Sequence, residues 1–282
     1  MNANLTETAM IANLSISQWT ARKYDKGVSK KVEDEYNAHD AGRFNKILVA
    51  KEAINEIQKV ASETRIFHYA NTLPWSDNGD RILPAMNFYD YSDGIRERHE
   101  KFDEVVHKFI QSYPELKEDA KIRLNGMFKE LDYPNVEEIK TKFNYIISFS
   151  PVPDSKDFRV SLKDDVIDKI KKEIDDRRTL LETNAMKDLW KRVYDTINHM
   201  IERLKDEKSI FRDSLISNVA DICQLLPKLN IGNDENLIQM GKEIENKLLG
   251  VEPETLRKDK GTRKEICGTA EDILSKMKGY LG

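Results

Sequence analysis

The residues of this chain best suited to chemistry are Glu100, Glu104 and His107, with His99 and Asp103 beside them. On a helix the first three share one face, and Glu104-x-x-His107 is the spacing that carboxylate-bridged di-iron bundles use. Such a centre needs a second Glu-x-x-His, which the chain lacks, while Arg96, Arg98, Lys101 and Lys108 interleave with the acids. A solvated, ion-paired helix face is therefore expected in place of a metal centre. Asp77, Asn78, Gly79 and Asp80 are oxygen-rich, but they lack the alternating ligands and terminal Glu of an EF-hand loop. Asn78-Gly79 reads as a turn instead, and neither flanking acid is expected to matter to stability. Gly232 and Gly241-Lys242 have the wrong spacing for a phosphate loop. There is no Gly-x-Ser-x-Gly elbow and no His-Glu-x-x-His. The sequence thus supplies no catalytic constellation, no cofactor motif and no metal site.

Two candidate surfaces remain. The run Trp19, Arg22, Lys23, Tyr24, Lys26, Lys30 and Lys31, extended by Arg43, Phe44 and Lys46, has the ingredients of a single-strand binding surface. Bases stack on rings while cations track the phosphates. Glu33, Asp34 and Glu35 follow at once, however, and the net charge of the chain is −4, so phosphate neutralisation could come only from a local patch. Trp75, between Pro74 and the polar turn, is expected either to pack down as core or to meet a partner.

The elements that position these residues differ along the chain. Residues 1–161 hold 19 of the 23 aromatic side chains; residues 162–282 hold Trp190, Tyr194, Phe211 and Tyr280. Aromatic and β-branched residues suit sheets, whereas Leu, Lys and Glu favour helices. The expected fold class is α+β and predominantly helical. An aromatic-rich head, residues 1–161, would carry a small antiparallel sheet, and residues 162–282 an all-α body with one long helix. Within the head, Leu14 and Ile16 alternate as in an edge strand, and a helix is expected from Asp40 through Val60. Residues 73–83 should form a hairpin, and Ile82 to Tyr91 a strand whose start Pro84 confines to an edge. Two helices, residues 93–112 and 115–131, should end at Tyr113-Pro114 and Tyr133-Pro134. Tyr145, Ile147 and Phe149 should pair with Phe158, Val160 and Leu162 as a second hairpin.

In the body, Ile167, Ile170, Ile174, Arg177, Leu181, Ala185, Leu189, Val193, Ile197, Met200 and Leu204 step by three or four with no Gly or Pro between them. That pattern predicts one helix too long for a compact core to satisfy, partnered by later helices near residues 213–226, 234–249 and 260–280, or by a second copy. The expected partners are accordingly further copies of the chain, joined through the C-terminal helices. Cys223 and Cys267 form no Cys-x-x-Cys pair, and no apolar run reaches the length of a membrane span. Residues 1–16 lack the pattern of a signal peptide, so the cytoplasm is the expected compartment and no membrane partner is expected.

The strings Trp19-Thr20-Ala21-Arg22-Lys23, Ala41-Gly42-Arg43-Phe44-Asn45-Lys46, Thr72-Leu73-Pro74-Trp75 and Asp157-Phe158-Arg159-Val160 resemble an uncharacterised family encoded by tailed bacteriophages and some bacteria. The resemblance covers roughly residues 10–165. Members of that family are found near genes for MoxR-type AAA+ ATPases and von Willebrand A-like proteins, and the family has no established catalytic residues to carry over. The resemblance implies a phage context, host cytoplasm and an AAA+ ATPase as partner. The leading expectation is a non-enzymatic interaction or assembly protein. Its alternatives are a single-stranded nucleic-acid-binding protein using Trp19, Arg22, Lys23 and Tyr24, or a small-molecule-binding protein with its pocket in the head.

Overall fold

In a computed structural model the chain is described over residues 5–206 and 209–280. Residues 1–4, the start of the stretch read for a leader, and residues 281–282, the end of the expected helical body, lie outside that description. The fold is α+β and predominantly helical, as the composition implies. In chain order the elements are α1 (Leu5–Thr8), β1 (Ala9–Ser17), β2 (Arg22–Tyr24), α2 (Lys26–Tyr36), β3 (Asn45–Ile47), α3 (Glu52–Asn71), β4 (Leu73–Pro74), β5 (Arg81–Pro84) and α4 (Phe88–Leu124). There follow α5 (Val136–Lys140), β6 (Asn144–Pro151), α6 (Asp164–Lys205), α7 (Ser214–Leu229), α8 (Glu235–Leu248), α9 (Pro253–Lys258) and α10 (Lys260–Met277). Four strands form one sheet in the order β4-β5-β1-β6, and β2 pairs with β3 in a separate ribbon.

The hairpin over residues 73–83 is present: β4 and β5 run antiparallel, with Leu73 opposite Ile82. Several expectations need correction. β1 lies between β5 and β6 in the sheet order, but it pairs with β5 only over Ala9–Ala12, so Leu14 and Ile16 lie beyond that pairing, and β5 is an inner strand. Pro84 is tolerated as the last residue of β5, opposite Ala9, where its missing N–H interrupts no further pairing, and the expected strand does not run on to Tyr91, which lies in α4. β6 joins the sheet beside β1, and no strand forms over residues 158–162, so the second hairpin is absent. No helix starts at Asp40, which has φ 54°, and Gly42 has φ 146°. Neither conformation fits a right-handed helix. The chain from Asn45 is a strand paired with β2, and the helix begins only at Glu52. The two helices expected to break at Tyr113-Pro114 are one helix of 37 residues, α4, with Pro114 inside it.

The chain divides into two compact units, and the division does not follow the composition shift at Ser161. The first unit comprises residues 1–13, 69–91 and 148–282; the second comprises residues 14–68 and 92–147. The helix bundle therefore belongs with the β4–β5 hairpin, despite the distance between them in sequence.

The first unit is built on α6, whose 42 residues realise the predicted periodicity. From Ala185 onward its apolar face is buried among α7, α8 and α10, in one cluster with Leu73, Trp75 and Ile82 of the hairpin. Arg192 ties α6 to the hairpin, donating to the carbonyls of Thr72 (2.8 Å) and Ala70 (3.3 Å) and pairing with Asp188 at 2.7 Å. Asp234 caps α8 by accepting from Asn236 and Leu237, and also accepts from the Trp190 indole at 2.8 Å. A side chain at Gly241 would come within 2.9 Å of Leu226, which explains a glycine inside α8.

In the second unit Ile57 and Val60 of α3 and Phe102 and Phe109 of α4 are buried. A Cβ at Gly94 would sit 2.3 Å from the Phe67 ring, which Arg98 covers at 3.9 Å. Here glycine is needed for close approach. The short helix α5 opens on a reciprocal capping box between Asn135 and Glu138, worth about 1 kcal/mol.

Candidate functional site

Glu100, Glu104 and His107 all lie on α4, where charges pair along the helix. Glu104 bonds Lys108 at 2.6 Å, which lowers its pKa, and His99 stacks on Tyr145 at 4.3 Å while facing Asp103 at 3.6 Å. Among the described residues no group of three or more His, Cys, Asp or Glu is placed to hold a metal ion.

The basic-aromatic run is divided by the fold. Trp19 is 9 % exposed, its ring packed against Phe109 (6.1 Å) and Tyr113 (5.8 Å), so it offers no stacking platform. Lys46 is 1 % exposed and pairs with Asp132 at 2.5 Å and Asp25 at 3.5 Å, while donating to the Met127 carbonyl at 2.8 Å. It is a structural cation, held because a buried charge must be paired. Arg22, Lys23 and Tyr24 form β2 and are exposed, Tyr24 to 46 %, with the Arg43 guanidinium 5.9 Å from the Tyr24 ring centre. A recess of about 360 Å³ beside Tyr24 takes in Lys26 and Lys30, but Glu33 and Asp34 as well. Of the expected surface, then, β2 is presented to solvent and Trp19 is core.

Trp75 is placed differently. Its ring is 5 % exposed, yet the loop it begins forms one wall of a cleft of about 520 Å³ in the first unit. The loop is held by its own backbone: the N–H groups of Trp75 and Ser76 both donate to the Asp80 carbonyl at 3.2 Å, and Gly79 takes φ 92°. The Asp80 carboxylate accepts from Asn13 Nδ2 at 2.9 Å, and the Ser76 hydroxyl donates to Asn78. Asp80 is thus a fixed part of the loop, whereas Asp77 is exposed. Opposite them stand Ile174, Arg177, Arg178 and Leu181 of α6. Arg178 is held between Asp175 (3.0 Å) and Asp154 (3.8 Å).

The cleft combines an apolar floor with carboxylates on one wall and guanidinium groups on the other, an arrangement suited to binding. Sequence reasoning missed the α6 side of it, although a signal was there. Arg177 falls on the apolar stripe, between Ile174 and Leu181, where a charge makes sense only if the stripe is open to solvent at that point. The chain matches no protein-family model, and comparison with curated proteins and with solved structures finds no match.

Proposed function

We propose that this protein is a non-enzymatic interaction protein that self-associates through the N-terminal half of α6, with the Trp75 cleft as part of the contact surface. One observation carries the reading. The apolar stripe of α6 continues through Ile167, Ile170, Ile174 and Leu181, yet no residue between 164 and 184 is fully buried, whereas eight are buried from Ala185 onward. Leu180, beside the stripe, is 59 % exposed. A continuous apolar face of this kind is commonly covered by a partner, and a second copy is the commonest one. The test is to replace Ile170 and Ile174 by Glu, which should leave the chain folded and lower its mass in solution.

The phage resemblance makes a MoxR-type AAA+ ATPase the first heterologous partner to test, and the cytoplasm, that of an infected host, the compartment in which to look. Consistent with this, no helix among the described residues is long and apolar enough to cross a membrane. A rival reading, a small-molecule ligand in the Trp75 cleft, is favoured by the cleft's volume of about 520 Å³, within the usual range of ligand sites. The two readings separate on solution mass: a ligand site leaves the protein monomeric.

A further inference from the structure

The β2–β3 ribbon sorts the basic run of the sequence, and with α2 it belongs to the second unit. Its register sets Arg22 opposite Ile47, Lys23 opposite Lys46 and Tyr24 opposite Asn45. Successive strand residues point to opposite faces. Lys46 is drawn to one face, where it is buried against Asp25 and Asp132. Arg22, Tyr24 and Asn45 fall on the other, and there the Arg43 guanidinium lies 5.9 Å from the Tyr24 ring centre.

Asp25 is the one carboxylate in residues 19–32, and it is already engaged. It accepts from the Gly27 and Val28 N–H groups at 3.1 Å each, capping α2, and pairs with Lys46 at 3.5 Å. What this stretch offers to solvent is therefore positive. Arg22, Lys23, Lys26, Lys30 and Lys31 are all exposed, and among the described residues none of their side chains forms an ion pair or a hydrogen bond. On other helices a lysine often holds a carboxylate one turn away, as Lys108 holds Glu104 and Lys191 holds Asp195. Lys23 also faces Lys46 across the ribbon, where like charges repel. Asp25 and Asp132 answer Lys46, but no carboxylate among the described residues pairs with Lys23. Glu33, Asp34 and Glu35 stand roughly two turns beyond Lys26 on α2 and give the patch an acidic border.

We propose that this face of the second unit binds single-stranded nucleic acid, with a base stacked on Tyr24 and phosphates along Arg22, Lys23, Lys26 and Lys30. Tyr24 takes the role that burial denies to Trp19. Its ring is 46 % exposed, and it can stack only on a base that is not already paired in a duplex. Unpaired cations beside that ring supply the phosphate contacts from which most of the affinity for nucleic acid comes. An acidic peptide would satisfy the cations but leave the ring unstacked.

The test is fluorescence anisotropy of a labelled oligothymidylate of about 12 nucleotides, titrated with the full chain at low salt and over a salt series. Binding should weaken with salt at a logarithmic slope of about −2 or steeper, about 0.7 per phosphate contact. Tyr24→Ala should weaken it about tenfold with the slope unchanged, and Tyr24→Phe, which keeps the ring, should restore it. Arg22→Glu/Lys23→Glu should weaken it by more than about tenfold and flatten the slope. Lys242→Glu/Lys264→Glu, an equal change of charge at exposed positions of the first unit, should leave it nearly unchanged. Every substituted residue is exposed, so the melting temperatures should hold. No anisotropy change at low salt, a duplex of the same length bound as tightly, or Tyr24→Ala binding like wild type would each overturn the proposal. So would polyglutamate displacing the oligonucleotide as well as unlabelled oligothymidylate does, which would make the patch a docking surface for acidic protein.

Discussion

Trp75→Ala should be among the most destabilising single changes in the first unit. The ring is 5 % exposed and belongs to one apolar cluster with Ile11, Leu73 and Ile82. A buried indole removes about 200–250 Å² from water. At about 25 cal/mol per Å² that is worth roughly 5–6 kcal/mol. Compactness of the unfolded chain lowers this to about 4 kcal/mol, within the range of about 3–5 kcal/mol seen for Trp→Ala in cores. Asp80→Ala should cost about 1 kcal/mol by stranding the Asn13 amide, although sequence reasoning expected no effect. Asp77→Ala, at an exposed position, should stay within about 0.5 kcal/mol of wild type. Urea unfolding followed by far-ultraviolet circular dichroism measures all three without relying on Trp19 or Trp190 as probes. A loss below about 1 kcal/mol for Trp75→Ala would mean that the ring does not hold the hairpin to the cluster, and the reasoning would fail.

Further outcomes follow from other sites. Lys46→Met removes the only cation shown pairing with Asp132 and should cost about 3 kcal/mol in urea unfolding; adding Asp25→Asn and Asp132→Asn should recover much of it. Asp25 is held below its ordinary pKa of 3.8 chiefly by the Val28 N–H, and Glu243 below 4.5 chiefly by Lys247 and then Lys276. The fold favours both charged forms, so the stability they confer is complete above the ordinary carboxylate range. It drains away as pH falls through the lowered values, visible as a falling melting temperature below about pH 4. Burial pushes the Cys223 thiol up to about 12 and raises that of Cys267, so a thiol reagent at mildly alkaline pH should label both only on unfolding. If β2 contacts single-stranded nucleic acid, Arg22→Ala/Lys23→Ala should reduce the logarithmic salt slope by about 1.4 in fluorescence anisotropy; undetectable binding at low salt ends that reading.

What was legible in the sequence was local. The unbroken three-and-four stepping of apolar residues gives α6 nearly residue for residue, and Asp234 marks the start of α8 because a helix's first N–H groups need an acceptor. The hairpin at residues 73–83 follows from its turn residues. What was not legible depended on partners distant in sequence. Phe44, Ile47 and Leu48 fit a helical period, but β2 takes the segment as a strand, with Lys46 drawn into a buried ion group whose members lie at Asp25 and Asp132. Pro114 looks like a helix end. Burial of Phe109 and Tyr113 against Trp19, and the Tyr113 hydroxyl bond to the Pro134 carbonyl, hold the helix before it, and the Lys117–Glu130 ion pair and the Arg123 bonds to the Ile47 and Leu48 carbonyls hold it after. That packing also takes Trp19 out of the candidate surface. Of the Trp75 cleft only the loop could be read, because its facing wall lies about a hundred residues away on α6.

The central claim, self-association through the N-terminal half of α6, is tested most directly by sedimentation equilibrium of the full chain at tens of micromolar, beside Ile170→Glu/Ile174→Glu. The account predicts at least twice the 32.7 kDa chain mass for wild type, and a folded species of single-chain mass for the variant. A wild-type chain that stays at 32.7 kDa throughout that range, or an assembly that the double substitution leaves intact, would contradict it.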